Sequence, residues 1–202
     1  MIGDKEINHI SSIPIGVYRN NDHGDHEYFW NLNYIHNSGV FRTESTNVLQ
    51  NTFLERWIYE CINDYAYTCL ATTQRLKLTQ SWCIKHDNVK SEIFSHYHPN
   101  SIVSGAYYIE CNDQSSMLYL KSPSPMVNTQ IEWDKDPKLI KEQSWLWKHY
   151  EVSPTKGNLI IFPSFLEHYV KGSSNDTRCV LSFNTWFDGN LGNKENLTLL
   201  TV

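Results

Sequence analysis

Beyond residue 75 the chain alternates short β-rich runs with turn-forming residues. Five runs are evident, and each is rich in branched or aromatic side chains: LKLTQSWCIKH, SIVSGAYYIE, SMLYLKSP, GNLIIFPS and TRCVLSFNTWF. Closely spaced short strands with turn signals between them are typical of an antiparallel sandwich or barrel. We therefore predict a mainly β core over about residues 77–187, within a single domain that spans residues 1–202.

A helical pattern precedes these runs. Between residues 47 and 71 apolar side chains recur at four-residue intervals, with a second row alongside the first. The first row is Leu49, Phe53, Trp57, Cys61, Tyr65 and Cys69, and the second is Leu54, Ile58 and Ile62. This spacing predicts an amphipathic helix of about six or seven turns that supports the β core. The residues before it are weakly patterned, apart from one short predicted strand at residues 11–19.

Residues 121–150 interrupt the β-rich pattern and contain three prolines and three tryptophans. A long insertion between strands is often a lid or a binding loop. Its tryptophans, Trp133, Trp145 and Trp147, could close over a substrate or could pack against the outside of the barrel.

Charge and cysteine content exclude several classes of protein. The net charge is −5, and no cluster of lysine and arginine is present that could neutralise a row of phosphates, so nucleic acid is not an expected partner. The five cysteines are widely spaced and form no CxxC pair, which favours free thiols in a reducing cytoplasm. No apolar run approaches the roughly 18 residues that a membrane span requires.

His96 and His98 flank Tyr97 directly before one of the β-rich runs. In extended backbone, residues i and i+2 project to the same side, so both imidazoles could bind one metal ion. An isolated pair of this kind could equally form ordinary hydrogen bonds at a strand entrance. His168 follows a second apolar run and offers a third imidazole. Three ligands from two strands describe the facial arrangement used by mononuclear non-haem iron.

Arg178 lies ten residues after His168, at the head of an apolar run. A guanidinium is costly to bury unless an anion pairs with it, and its planar fork matches a carboxylate. At a solvated strand end the same arginine would need no partner, so the sequence leaves both interpretations open.

The combination of these features is more specific than any one of them. With the HxH pair, the segment G-x5-P-x4-H from Gly157 to His168, and Arg178, the sequence resembles the 2-oxoglutarate and Fe(II)-dependent oxygenases of the prolyl-hydroxylase-like branch. The blocks HYHPNSIVSGAYYI, FPSFLEHYV and TRCVLSFN look like the signature of one such family common in phage and bacterial genomes. The resemblance covers about residues 77–187 and implies a double-stranded β-helix core of the jelly-roll, cupin-like type.

Residue by residue, the resemblance implies that His96 and His168 bind Fe(II) and that Arg178 binds the distal carboxylate of 2-oxoglutarate. It implies further members of the cosubstrate pocket at Tyr108, Ser182, Val170 and Ala106.

His98 departs from the superfamily pattern, which usually has aspartate or glutamate at this position. A neutral imidazole can bind Fe(II), but it removes a negative charge from the ligand set. The iron is then held either by three histidines, with His98 as the third ligand, or by two histidines and another group.

The resemblance implies an enzyme that hydroxylates its substrate and releases succinate and CO2 from 2-oxoglutarate. The expected substrate is a small molecule or a peptide or protein, and the expected location is the cytoplasm, that of the host if the gene is carried by a phage. Two alternatives are a cupin-type metalloprotein and a non-catalytic jelly-roll binding module. The first cupin block requires a glutamate where Ile102 and Val103 stand, and neither alternative needs Arg178.

Overall fold

The fold is known from a computed structural model, which describes residues 13–22, 26–37, 40–87, 92–124, 134, 136–143, 146–172 and 175–202. The helices are α1 (His26–Trp30), α2 (Phe53–Leu70) and α3 (Pro137–Glu142). The strands of the first half are β1 (Gly16–Arg19), β2 (Tyr34–Asn37), β3 (Val40–Thr43), β4 (Leu76–Asp87), β5 (Ile93–His96) and β6 (Val103–Cys111). Those of the second half are β7 (Leu118–Lys121), β8 (His149–Val152), β9 (Asn158–Pro163), β10 (His168–Val170), β11 (Thr177–Phe187), β12 (Asn190–Leu191) and β13 (Leu200–Thr201).

Two antiparallel sheets form the β core. The larger has seven strands in the order β1-β9-β6-β11-β4-β3-β2, and the smaller has four in the order β5-β10-β7-β8. The long strand β11 pairs with β4 on one side and with β6 on the other, so it lies in the middle of the larger sheet. The prediction of a mainly β fold with a jelly-roll core and a supporting helix is confirmed.

Strand alternation sends side chains of the larger sheet into two separate cores. On β6, Tyr107 and Ile109 pack with the residues of α2, whereas Tyr108 packs with residues of the smaller sheet. Adjacent positions of a strand project to opposite faces, so a sheet covered on both faces needs apolar residues at successive positions. This explains why the β-rich runs read as nearly continuous apolar segments.

Helix α2 begins at Phe53, six residues later than the predicted start at residue 47. The backbone before it is engaged elsewhere, because the N–H of Val48 donates to the carbonyl of Ser81 on β4 and the N–H of Leu49 donates to the Ser81 hydroxyl. The helix ends where Ala71 adopts a left-handed conformation with φ of 51°. The buried face contains the predicted Leu54, Ile58, Cys61, Ile62 and Tyr65, together with Ala66. The predicted Phe53 is instead 88% exposed.

The first third of the chain contributes more structure than its weak pattern predicts. Strands β1, β2 and β3 extend both edges of the larger sheet beyond the predicted core of residues 77–187. Only residues 13–19 of the predicted strand at 11–19 are described, and β1 occupies the last four of them. The β-ladder hydrogen bonds of an edge strand depend on its neighbour, which a local pattern does not reveal.

The insertion at residues 121–150 is described in part. It contains α3 and the start of β8, and the indole N–H of Trp147 donates to the carbonyl of Ile140 at 2.9 Å. Trp133 and Trp145, which the sequence suggested for a lid, lie outside the described residues. All five cysteines are free thiols. No helix within the described part of the chain has the length and apolar character that a membrane span would need.

Candidate metal centre and cosubstrate cavity

Three histidines from two segments meet at one end of the smaller sheet. His96 is the last residue of β5 and pairs directly with His168, the first residue of β10. His98 follows β5, and its backbone N–H donates to the carbonyl of Ser164 at 3.0 Å. One nitrogen of each ring lies within 4.8 Å of the corresponding nitrogens of the other two. The three rings therefore form a cluster that could hold a single metal ion.

Hydrogen bonds fix the tautomer of two of these rings. The Nδ1 atom of His96 is 2.8 Å from the carbonyl oxygen of Phe94, and the Nδ1 atom of His168 is 2.9 Å from that of Leu166. A carbonyl can only accept, so both Nδ1 atoms carry the proton and donate it. The Nε2 atom of each ring keeps its lone pair, as metal binding by neutral imidazole requires.

The surroundings of the cluster favour the neutral form of two of its rings, those of His168 and His98. Burial is the main cause that lowers the pKa of His168 to about 3, and the neighbouring His96 and His98 lower it further, although the bond to Leu166 acts in the opposite direction. Burial also lowers the pKa of His98, while its hydrogen bond to Asn184 raises it. Neutral nitrogen donors suit Fe(II) and related transition-metal ions. The chemistry of this donor set therefore fits the iron that the sequence implies.

A cavity of about 100 Å³ adjoins the histidine cluster. It opens between strands of the two sheets, and its wall is largely apolar and aromatic, with Trp82, Phe162 and Tyr169 among its members. The structure brings to this one cavity all eight residues that the sequence singled out: His96, His98, His168, Arg178, Tyr108, Ser182, Val170 and Ala106.

Arg178 lies in the buried wall of the cavity, with only 2% of its surface exposed. Its Nη1 atom donates to the carbonyl of Ser116 at 2.7 Å, and its Nη2 atom lies 3.5 Å from Oδ2 of Asp176. Its Nε atom has no hydrogen-bond partner among the described residues. This unpartnered buried donor on a guanidinium that lines the cavity is what a bound carboxylate would satisfy.

Sequence reasoning missed the groups that surround Arg178. Asp176 is fully buried and lies two residues before Arg178. His86 on β4 is the direct strand partner of Arg178. Nη2 of Arg178 is 3.2 Å from Nε2 of His86, and Nδ1 of His86 is 3.3 Å from the Asp176 carboxylate. Burial lowers the pKa of His86. The i−2 spacing of Asp176 could have been noticed, but no local signal predicts that β4 places His86 there.

Asn184 was also missed, although a pattern could have found it. Positions 178, 180, 182 and 184 of β11 alternate with residues that face the α2 core, so Asn184 continues the row of Arg178 and Ser182. Its Oδ1 atom is 2.6 Å from Nδ1 of His98.

Comparison with known proteins agrees with this site. A profile of the family described as "Putative 2OG-Fe(II) oxygenase" matches residues 80–184, which is 105 of 202 residues. The matched segment contains the three histidines, Arg178, and the other predicted cavity residues. No curated protein sequence matches the chain.

Solved structures share the fold at low sequence identity. The epimerase SnoN of nogalamycin biosynthesis, an α-ketoglutarate-dependent non-haem enzyme, superposes with a TM-score of 0.57 at 10% identity, over 86% of this chain and 78% of its own. HygX from Streptomyces hygroscopicus, solved with nickel and 2-oxoglutarate, gives 0.52 at 12% identity, over 86% and 82%. A prolyl-4-hydroxylase from Pseudomonas putida gives 0.52 at 8% identity, over 86% and 92%.

These similarities in structure establish the fold, and the family profile, which covers just over half of the chain, establishes the family. The family's cofactor and cosubstrate, iron and 2-oxoglutarate, are those that the resemblance predicted, and the histidine cluster and the adjoining cavity offer groups suited to both. The chain belongs to the 2-oxoglutarate- and Fe(II)-dependent oxygenases.

Proposed function

We propose that His96, His98 and His168 together hold Fe(II), and that Arg178 binds the distal carboxylate of 2-oxoglutarate in the adjoining cavity. The observation that carries the proposal is that the three imidazoles and the buried guanidinium line one cavity of about 100 Å³. Neutral nitrogen donors stand at one part of its wall and a cation at another. This arrangement suits a cosubstrate that chelates a metal at one end and presents a carboxylate at the other.

Four more residues complete the proposed cosubstrate pocket. Burial is the main cause that raises the pKa of Tyr108 to about 12, so its hydroxyl stays protonated and can donate to a carboxylate beside Arg178. The hydroxyl of Ser182 is a second polar group on the β11 face that carries Arg178. Ala106 and Val170 form apolar wall, where a small side chain leaves room for the cosubstrate.

When bound, Fe(II) supplies the activation of dioxygen and the oxidative decarboxylation of 2-oxoglutarate to succinate and CO2, with hydroxylation of a substrate C–H bond. The chain's own residues bind and orient. The imidazoles offer their lone pairs to the metal, Arg178 and Tyr108 fix the cosubstrate, and the apolar wall excludes water from the site.

For the substrate, we propose a small molecule or a peptide or protein side chain, encountered in the cytoplasm and not on nucleic acid or a membrane. The net charge of −5 opposes binding to a polyanion. The structural relatives span both substrate classes, since HygX has been solved with hygromycin B and the Pseudomonas putida protein is a prolyl hydroxylase. The aromatic side chains of Trp82 and Tyr169 in the cavity wall offer apolar contacts to either.

Anaerobic titration with Fe(II) and 2-oxoglutarate tests the ligand set. We expect the weak visible charge-transfer band of the chelate in the wild-type protein and in His36→Ala, which removes an exposed histidine that does not line the cavity. We expect no band in His168→Ala. A band of full intensity in His98→Ala would remove His98 from the ligand set, and the absence of a band in the wild type at saturating concentrations would refute the chelate altogether.

A further inference from the structure

We infer that Asn184 is a positioning residue for the metal centre, because it fixes the tautomer and ring orientation of His98. The inference rests on the proposed role of His98 as the third iron ligand and names the group on which that role depends.

His98 is held differently from the other two histidines. The Nδ1 atoms of His96 and His168 each bond to a carbonyl two residues earlier in their own segment. The Nδ1 atom of His98 instead lies 2.6 Å from Oδ1 of Asn184, a side-chain atom from a residue 86 positions away on β11. His96 and His168 would keep their tautomer after almost any side-chain substitution, whereas that of His98 depends on one side chain.

A chain of serine hydroxyls stands behind this contact. The Ser104 hydroxyl lies 2.9 Å from Oδ1 of Asn184, 3.0 Å from Nδ1 of His98 and 2.8 Å from the Ser164 hydroxyl. Ser164 donates to the Ser101 hydroxyl at 2.7 Å, and Ser101 donates to the carbonyl of Val103 at 3.1 Å. Ser104 and Ser164 are fully buried, so these contacts replace contacts with water.

Counting protons gives this chain a direction. The Val103 carbonyl can only accept, which commits the Ser101 proton to it and the Ser164 proton to Ser101. The one proton of Ser104 then goes either to Ser164 or to Asn184, and each of these oxygens is able to accept it. Oδ1 of Asn184 is itself an acceptor, so a distance of 2.6 Å to His98 requires the proton to be on Nδ1.

The consequence for the metal centre follows from this tautomer. With the proton on Nδ1, the lone pair of His98 is on Nε2, as it is in His96 and His168. An acceptor at Nδ1 also raises the basicity of the ring and fixes its orientation, which is the role that partners of metal-binding histidines commonly have. Asn184 thus gives His98 the acceptor that backbone carbonyls give the other two ligands.

Asn184→Leu removes the acceptor at nearly constant volume and tests the inference with Co(II) as the probe. In the wild-type protein we expect three paramagnetically shifted, solvent-exchangeable N–H resonances, one from each imidazole. In Asn184→Leu we expect Co(II) to bind about 10 to 100 times more weakly, and we expect the His98 resonance to exchange rapidly or disappear while the other two persist. Unchanged affinity with three unchanged resonances would overturn the inference.

Two further variants keep the test decisive. Asn184→Asp retains an acceptor and adds charge, so we expect it to bind Co(II) at least as tightly as the wild type and to keep three resonances; weaker binding with a lost resonance would contradict the assigned role. Thr185→Val is the matched control, because it removes buried hydrogen bonds at the next position of the same strand, where the Thr185 hydroxyl donates to the Val103 carbonyl and accepts from the Val103 N–H. We expect it to bind Co(II) like the wild type, and equal weakening in Thr185→Val and Asn184→Leu would reduce Asn184 to a structural role.

The same measurement separates this inference from the proposed function. A wild-type protein that binds Co(II) with only two exchangeable N–H resonances, and keeps both in His98→Ala, would remove His98 from the ligand set and with it the basis for a role of Asn184. Three resonances in the wild type that are insensitive to Asn184→Leu would leave the ligand set intact and refute only the role of Asn184.

Discussion

His96 and His168 are direct partners across the antiparallel pair β5 and β10, with their ring centroids 4.3 Å apart. This pairing means that strand register, and not loop conformation, brings the two proposed ligands together. A slip of one residue would turn the side chains of one strand to the opposite face of the sheet. The hydrogen bond from the His98 N–H to the Ser164 carbonyl extends the same contact beyond the end of β5.

Replacing Arg178 should separate cosubstrate binding from metal binding. We expect Arg178→Ala, measured by titration of the Fe(II) protein with 2-oxoglutarate, to raise the dissociation constant of 2-oxoglutarate by about 10 to 100-fold, because a charge-assisted hydrogen bond contributes about 1.5–3 kcal/mol. Metal affinity should stay close to that of the wild type, since Arg178 is not among the proposed ligands. Arg178→Lys keeps the charge without the planar fork. Its dissociation constant for 2-oxoglutarate should lie between those of the wild type and Arg178→Ala. An unchanged affinity for 2-oxoglutarate in both variants would refute the assigned role.

Removing the carboxylate beside Arg178 should be costly for folding. Asp176 and Arg178 are 0% and 2% exposed, so Asp176→Asn leaves a buried guanidinium without its anion. We expect the free energy of unfolding, measured by urea denaturation, to fall by about 3–5 kcal/mol. The matched control is Glu110→Gln, which breaks the half-exposed ion pair between Glu110 and Lys156 and should cost about 0–1 kcal/mol. Equal losses in the two variants would show that Asp176 has no special structural role.

The absence of a side chain at position 105 is required by packing. Gly105 pairs directly with Phe183, and a Cβ atom at Gly105 would overlap the Phe183 ring. We expect Gly105→Ala to lower the free energy of unfolding by about 1–3 kcal/mol, as overpacking of a buried site does. Adding Phe183→Leu should restore part of the loss, because a smaller side chain makes room for the methyl group. If the double variant is as unstable as the sum of the two single variants, the two sites do not interact.

The metal-free protein should lose stability in mild acid through His168. Its pKa is lowered to about 3 in the folded protein by burial, whereas an unfolded chain has a histidine pKa of about 6.5. The unfolded state therefore takes up a proton first as the pH falls below 6.5. The free energy of unfolding is therefore not reduced by His168 above about pH 6.5. Between pH 6.5 and pH 3 it decreases by at most about 1.4 kcal/mol per pH unit.

The difference between the wild type and His168→Gln isolates this effect from the titration of carboxylates. We expect the free energy of unfolding of the wild type to fall more steeply than that of His168→Gln between pH 6.5 and pH 4. Parallel curves over this range would mean that His168 titrates alike in the folded and unfolded states.

Different parts of the site were predictable to different degrees. The row Arg178, Val180, Ser182 and Asn184 follows from strand alternation alone, since β11 is long and regular. The start of α2 was predicted wrongly, because the backbone of Val48 and Leu49 bonds to Ser81 on β4, and this distant partner overrides the local apolar period.

The sequence by itself determined the β-rich core and the supporting helix, because both depend on local periodicity, which a linear chain displays. The eight residues that meet at the cavity were implied by the resemblance of short sequence blocks to a known family. Only the tertiary structure decided that Asp176 and His86 surround Arg178 and that Asn184 holds His98. The contact between Arg178 and His86 and the contact between His98 and Asn184 each join residues more than 80 positions apart. Strand register brings these residues within hydrogen-bond distance, and the packing of the whole sheet fixes that register.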